Sequence, residues 1–344
     1  MMMLLMVTLL NVVESQQPVA TIPILMSSFQ STAGLTVGCT IKTTVGAEQE
    51  LPYELGLDMG FDWLMVTSSA CTSSALCGSP SATKYVVQDP QADPSFSSTY
   101  GFGIFKATGV QVPDSVSYQT TGSIPLDVPK GLFAGISAYS APPGMIPDSV
   151  AAAYMGSVGL AYPSAHPSLN FITSMQASGL VQSRVFAISL PSNLSLAGTL
   201  EVGGFSAPSV SWFPLGPSSW AGHPGLWYWS SQLQSLAIGG APVKCGKCNF
   251  FIDTAGGGLV LAGAPTIQVP LNCSGIGGLP TITFSIFSLN FQFAPADYVL
   301  RIDGLCYSSI TSVPSASFSV LGTTWLMKYP TIFDIDNSRI GVSI

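Results

Sequence analysis

The chain has 344 residues, with 17 acidic and only 10 basic side chains and a formal net charge of −7. So few Lys and Arg, spread over the whole length, cannot form the basic stripe that a nucleic-acid-binding surface needs. Charged residues make up 8% and apolar residues 47%, against ~25% charged in an ordinary globular domain. The chain therefore has the apolar mass for two lobes or one large β domain, and few carboxylates whose protonation would unfold it in acid.

The first element is an apolar run, Leu4 to Val13, inside MMMLLMVTLLNVVESQQ. It has the length of a secretory signal core and is too short to span a bilayer. Val13-Glu14-Ser15 offers a cleavage site, although no Lys or Arg precedes the run. Residues 1–15 are accordingly expected to be a signal peptide. No later segment reads as transmembrane. The expected destination is the secretory route: secreted, or endo-lysosomal or vacuolar. Residues 16–35 form an N-terminal segment in which no full-length prosegment is evident.

From there on, short β-branched and aromatic runs alternate with Gly, Pro, Ser and Asn clusters. The 35 Gly and 26 Pro punctuate many short strands and predict an all-β architecture. Predicted strands include Tyr53–Leu57, Trp63–Thr67, Val185–Leu190, Thr281–Phe287 and Ile332–Ile335. Helices are few: Leu169–Ser178, with Gly179 as its stop, and the shorter Trp325–Tyr329. The Pro- and Gly-rich stretch Trp212–Gly225 reads as an inter-lobe connection or a surface loop.

An internal echo carries the functional reading. Leu57-Asp58-Met59-Gly60 ends one strand and precedes Leu64-Met65-Val66; Ile252-Asp253-Thr254-Ala255 ends another and precedes Leu259-Val260-Leu261. Downstream, Val158-Gly159-Leu160 is matched by Val320-Leu321-Gly322. A lone Asp-x-Gly is ordinarily a turn; two, with matching downstream elements, suggest a duplicated lobe. Small Gly60 and Ala255 let backbone N–H groups approach each carboxylate. Two facing lobes would bring Asp58 and Asp253 together. Like charges that close cannot both ionise, so the pair shares one proton. One carboxylate can then activate a water while the other protonates a carbonyl.

The seven cysteines are Cys39, Cys71, Cys77, Cys245, Cys248, Cys273 and Cys306. Their spacing suggests three local or medium-range pairs and one left over. A metal site is the alternative reading, but Cys245-Gly-Lys-Cys248 has no second CxxC, and His166 and His223 lack ligand spacing around it. No metal and no cofactor are expected. Asn193 and Asn272 open Asn-x-Ser sequons and are candidate glycosylation sites. No Gly-x-Ser-x-Gly elbow supports a serine hydrolase.

Taken in order, these motifs resemble the pepsin family of aspartic peptidases over about Thr40 to Ile344. The Asp58 segment resembles the first active-site motif. Asp93-Pro94-Ser95-Phe96-Ser97-Ser98-Thr99-Tyr100 resembles the approach to the flap, and Gly156-Ser157-Val158-Gly159-Leu160-Ala161-Tyr162-Pro163 the Gly-Leu-Ala-Tyr-Pro element. Ser178-Gly179-Leu180-Val181, Val185 to Leu190, Glu201-Val202-Gly203-Gly204, Tyr329 to Asp334 and Arg339-Ile340-Gly341 match later family segments. The resemblance implies a bilobal pepsin-like acid protease fold, two duplicated β lobes with a cleft between them and a few short helices. It places the N-terminal lobe at 36–195 and the C-terminal lobe at 196–344. It implies disulfides Cys71–Cys77, Cys245–Cys248 and Cys273–Cys306, with Cys39 free, buried or intermolecular.

The same resemblance implies an aspartic-type endopeptidase with an acid pH optimum, Asp58 and Asp253 as catalytic residues, and Met59, Gly60, Thr254 and Ala255 in the active-site loops. A peptide or protein is the substrate, and the chain is expected to be a monomer. The flap residue is Tyr100 or Phe102, depending on register, and Met65 stands where the family often has a Trp backing the flap. The departures are Met59 for Thr, Phe61 for Ser, Ala255 for Gly, and Gly256 for the supporting Ser or Thr. Ala255 is also the retroviral choice. The others remove hydroxyls that lock the loops and tune the dyad. They leave an alternative: a catalytically impaired relative that binds peptides or proteins through the old cleft.

Overall fold

A computed structural model describes residues 17–31, 34–72, 77, 84–91, 93–100, 105–140, 155–163, 167–216, 228–244, 249–255, 257–314, 316 and 318–344. In the first half the strands are β1 (Ala20–Ser31), β2 (Gly34–Val45), β3 (Leu51–Asp58), β4 (Leu64–Thr67), β5 (Ser95–Tyr100), β6 (Phe105–Tyr118), β7 (Leu126–Ser140) and β8 (Gly156–Gly159). β9 (Val185–Ser189), β10 (Gly198–Val202) and β11 (Val210–Pro214) follow. The second half holds β12 (Ser230–Gln232), β13 (Ser235–Ile238), β14 (Ala241–Pro242), β15 (Asn249–Ile252), β16 (Leu259–Ala262), β17 (Ile282–Ile286) and β18 (Leu289–Phe293). β19 (Val299–Ile302), β20 (Leu305–Ser308), β21 (Ile310–Val313), β22 (Phe318–Leu321), β23 (Thr331–Asp334) and β24 (Arg339–Ser343) complete it. The architecture is the expected all-β one.

Local sequence explains the kind of strand formed. β3 alternates, burying Tyr53, Leu55 and Leu57 and turning Pro52 and Glu54 outward, the period-2 pattern of a strand with one covered face. β4 (Leu-Met-Val-Thr) and β8 are buried throughout, as expected of strands covered on both sides.

The echo in the sequence becomes a repeated topology. β3 runs parallel to β8, with Asp58 opposite Gly159; β8 is antiparallel to β4, and β4 is parallel to β7. In the second half β15 is parallel to β22, β22 antiparallel to β16, and β16 parallel to β21. Each strand carrying an Asp at its end is thus locked against the later apolar-Gly element of its own half.

A third, antiparallel sheet joins the halves in the order β11-β24-β23-β9-β10-β1. Residues Ala20 to Ile24 of β1 pair with β10, and Leu25 to Ser31 cross over to pair with β2. The segment 16–35, expected only as a lead-in, therefore supplies a shared strand. The expected lobe boundary at 195/196 falls in the turn between β9 and β10, neighbours in this sheet.

The helices are short. α1 (Phe171–Ala177) is capped by Asn170, whose side chain accepts from Thr173 N, and is followed by Gly179 at φ +73°. The predicted helix began at Leu169, but Pro167–Leu169 is a 3-10 turn. α2 is Pro295–Tyr298. α3 (Thr323–Lys328) starts two residues earlier than predicted, directly after Gly322.

One large apolar cluster runs through both halves and includes Ile41, Leu57, Val158, Trp229, Ile252, Leu321, Trp325 and Phe333. Complete burial of each such side chain contributes about 1.5–3 kcal/mol before entropy. A second cluster, with Phe61, Trp63, Met65, Phe96, Ile136 and Leu169, lies wholly in the first half.

Cys71 pairs with Cys77 and Cys273 with Cys306. Cys39 is buried and free; it lies opposite Met26 in the β1–β2 hairpin. Residues 1–15, the Cys245–Cys248 pair, His166, His223, Phe102 and Gly256 lie outside the described residues. Among the described residues no helix is long and apolar enough to cross a membrane.

Candidate active site

Asp58 closes β3, and the chain turns at once through Met59 and Gly60. The turn folds back, so Gly60 N–H donates to Asp58 Oδ1 at 2.7 Å. A Cβ on residue 60 would sit 3.0 Å from that oxygen, which explains the glycine. Asp253 follows β15 in the same way, and Ala255 N–H donates to Asp253 Oδ1 at 2.9 Å.

The two turns meet. Met59 N–H is a second backbone donor to Asp253. Thr254, buried to 1% exposure, donates from Oγ1 to the Leu57 carbonyl at 2.7 Å. Met59 is equally buried but packs into the apolar core and has no hydroxyl to return the bond. The two turns are therefore tied by one threonine hydroxyl and one backbone N–H.

The electrostatics follow from the juxtaposition. Burial first, and then the charge of Asp253, push the Asp58 carboxyl from 3.8 up to about 7 against the opposing Gly60 N–H. Burial also raises Asp253, against the N–H groups of Ala255 and Met59. Both carboxyls are thus raised, Asp58 in part by the charge of Asp253, and like charges placed together in this way disfavour double ionisation.

The turns are fixed from behind by close backbone packing. Gly159 N–H donates to the Trp63 carbonyl at 3.0 Å, and Gly322 N–H makes the matching bond to Gly258 at 2.8 Å. A Cβ on Gly159 would lie 2.5 Å from the backbone of Trp63, and one on Gly322 2.2 Å from the Gly258 oxygen. Thr323 Oγ1 adds a bond to the Gly257 carbonyl. The duplicated glycines of the sequence are thus packing requirements of the two turns.

Phe61 does not lie between the lobes. Its ring is 1% exposed and packs 4.6 Å from Trp63 within the first-half cluster. Met65 lies in the same cluster, fully buried. β5 and β6 pair as antiparallel neighbours, with Tyr100 opposite Phe105; the Tyr100 side chain and Phe102, the two flap candidates, lie outside the described residues. Asn193 and Asn272 are exposed in turns, and the side chain of each accepts from a downstream backbone N–H. Among the described residues no group of three or more His, Cys, Asp or Glu could hold a metal.

Sequence reasoning missed Trp229. Its indole Nε1–H donates to the Leu160 carbonyl at 2.6 Å, between the halves. The available signal was the aromatic run Trp227-Tyr228-Trp229 after the Pro- and Gly-rich stretch.

A family model described as eukaryotic aspartyl protease matches residues 40–344. The chain belongs to the eukaryotic aspartyl protease family. It is 26% identical to pepsin A of Bos taurus over 80% of this chain and 78% of the relative. It is 28% identical to pepsin A of Sus scrofa, over 56% of this chain and 54% of the relative. Cathepsin E-B of Xenopus laevis is 29% identical, with the same coverage. Met59 in the turn of Asp58, which leaves the threonine tie one-sided, and the buried Phe61 are two of the local features at the paired carboxylates.

Proposed function

We propose that the protein is an aspartic-type endopeptidase that uses Asp58 and Asp253 as a one-proton dyad, with an acid pH optimum. The observation that supports this most is the facing of the two carboxyls: each is cradled by its own turn, and the Asp253 charge raises Asp58.

Roles follow from the donors. Asp253 accepts from two backbone N–H groups, Asp58 from one. Hydrogen bonds to a carboxylate favour its charged form, so Asp253 is the anion and Asp58 holds the proton. Asp253 takes a proton from a water lying between the carboxyls, and the water oxygen bonds to the peptide carbonyl carbon. Asp58 gives its proton to the carbonyl oxygen. Collapse of the tetrahedral diol breaks the C–N bond, and the leaving nitrogen takes the proton from Asp253. The diol returns a proton to Asp58 as the carbonyl re-forms. No covalent intermediate is needed.

Substrates are peptides or proteins entering beneath the β5–β6 hairpin. Phe61, turned into the first-half core, leaves the space between the carboxyls clear, which supports catalysis over the impaired, peptide-binding reading. The two disulfides among the described residues and the signal-like run support a secretory route.

The test is cleavage of a denatured protein between pH 3 and 7, with and without a transition-state-type aspartic peptidase inhibitor. Inhibitor-sensitive cleavage that is strongest in acid is expected. A folded protein that cleaves nothing at any pH would overturn the peptidase reading and favour the binding one.

A further inference from the structure

The hydrogen bonds around the dyad form a closed path. Leu160 N–H donates to the Asp58 carbonyl at 2.8 Å. The Leu160 carbonyl accepts from Trp229 Nε1–H at 2.6 Å. The Trp229 carbonyl accepts from Ile252 N–H at 2.9 Å, and Ile252 precedes Asp253. On the other side Thr254, which follows Asp253, donates to Leu57, which precedes Asp58, at 2.7 Å. Two lobes are thereby joined on both flanks of the carboxyl pair.

We propose that Trp229 is a positioning residue of the peptidase site, whose indole and carbonyl together hold the two Asp-bearing strands at working separation. This rests on the peptidase reading above. Trp229 is fully buried, as is Leu160 to within 1%. Its rings are walled by Tyr162 at 5.6 Å, Phe186 at 5.8 Å and Phe333 at 5.0 Å. Phe186 and Phe333 are paired across β9 and β23 on one face of the shared sheet, and Tyr162 closes on the ring from the first half, so the indole is held with its N–H aimed at Leu160. A phenyl ring fills most of that space but donates nothing. The Leu160 carbonyl then loses its side-chain donor in a dry site. The load matters more here than where two threonines tie the turns, because Met59 cannot share it.

Loss of the indole bond lets the lobes drift. Misplacement of reacting groups by about 1 Å costs on the order of 10²-fold in rate. Wider separation also weakens the effect of the Asp253 charge on Asp58. The charge acting on Asp58 is Asp253, and the facing donors are the N–H groups of Gly60, Ala255 and Met59. Asp62, buried in the same turn, is the other nearby carboxyl on that segment.

The experiment compares the full chain with Trp229→Phe, and with benzothienylalanine in place of Trp229, which keeps the shape and replaces N–H by sulfur. Phe284→Leu, in the second-half core against Phe293 and Trp325, controls for lost stability. Both changes at 229 should lower kcat about 10- to 100-fold, leave KM within about 2-fold, and move the neutral limb of kcat/KM to lower pH. Phe284→Leu should move neither limb. An unchanged kcat and pH profile in the benzothienylalanine protein would overturn the proposal. Should the unaltered chain cleave nothing, the peptidase reading falls by itself. The ring is then tested by the pH dependence of unfolding that Asp58→Asn should flatten. That dependence should shrink without the indole N–H, and its persistence at full size overturns the positioning role.

Discussion

Thr254 Oγ1 donates to the carbonyl of Leu57 at 2.7 Å, across 197 positions of sequence. The bond ties the turn carrying Asp253 to the strand carrying Asp58. On the opposite turn Met59 offers only its backbone N–H. The site is thus asymmetric: a hydroxyl tie in one direction, a backbone bond in the other.

Thr254→Val should expose this asymmetry. It removes the donor and leaves the buried Leu57 carbonyl without it, a loss of about 1–3 kcal/mol readable in urea unfolding. Cleavage should fall about 10- to 100-fold as the turns separate. Thr254→Ser keeps the hydroxyl and should retain most activity. Equal loss in both variants would show that the methyl group, and not the bond, matters.

Phe61→Ser tests whether the departure at that position is an error of the site or a part of the core. Phe61 is 1% exposed against Trp63 and the other rings of the first-half cluster. Replacement leaves a cavity and buries a hydroxyl, and should destabilise by about 3–5 kcal/mol. Activity per folded molecule should not rise. A stable, more active Phe61→Ser protein would show that the serine is still wanted there.

The dyad also sets how stability depends on pH. The Asp58 carboxyl ordinarily titrates at 3.8 and in the folded protein at about 7. The folded state binds this proton more tightly than the unfolded one. The resulting stabilisation is complete below 3.8 and is lost as pH rises towards about 7. Burial raises Asp253 in the same direction. The unfolding midpoint should therefore fall between about pH 4 and 7, and Asp58→Asn should flatten that slope. A midpoint that rises through this range, with no change in Asp58→Asn, would contradict the buried pair.

Much of this was legible beforehand, for definite reasons. The Asp58 and Asp253 turns announce themselves because a carboxylate that accepts backbone N–H groups needs a small residue two places on. Gly159 and Gly322 announce themselves because their backbones touch Trp63 and Gly258. The shared sheet was not legible, since β1, β9 and β24 meet only in space. Nor was the inward turn of Phe61, because a residue type does not reveal which side of a turn its ring takes. Trp229 stayed hidden because its partner is a backbone carbonyl, a group present at every position.

The central claim is that Asp58 and Asp253 act as one unit on a peptide bond. It is tested most directly by cleavage at the optimum pH in Asp58→Asn and Asp253→Asn, each shown to be folded by its unfolding transition. Each substitution should reduce cleavage at least about 10³-fold, because neither general acid nor general base works alone. Cleavage at the unaltered rate in either variant would contradict the account.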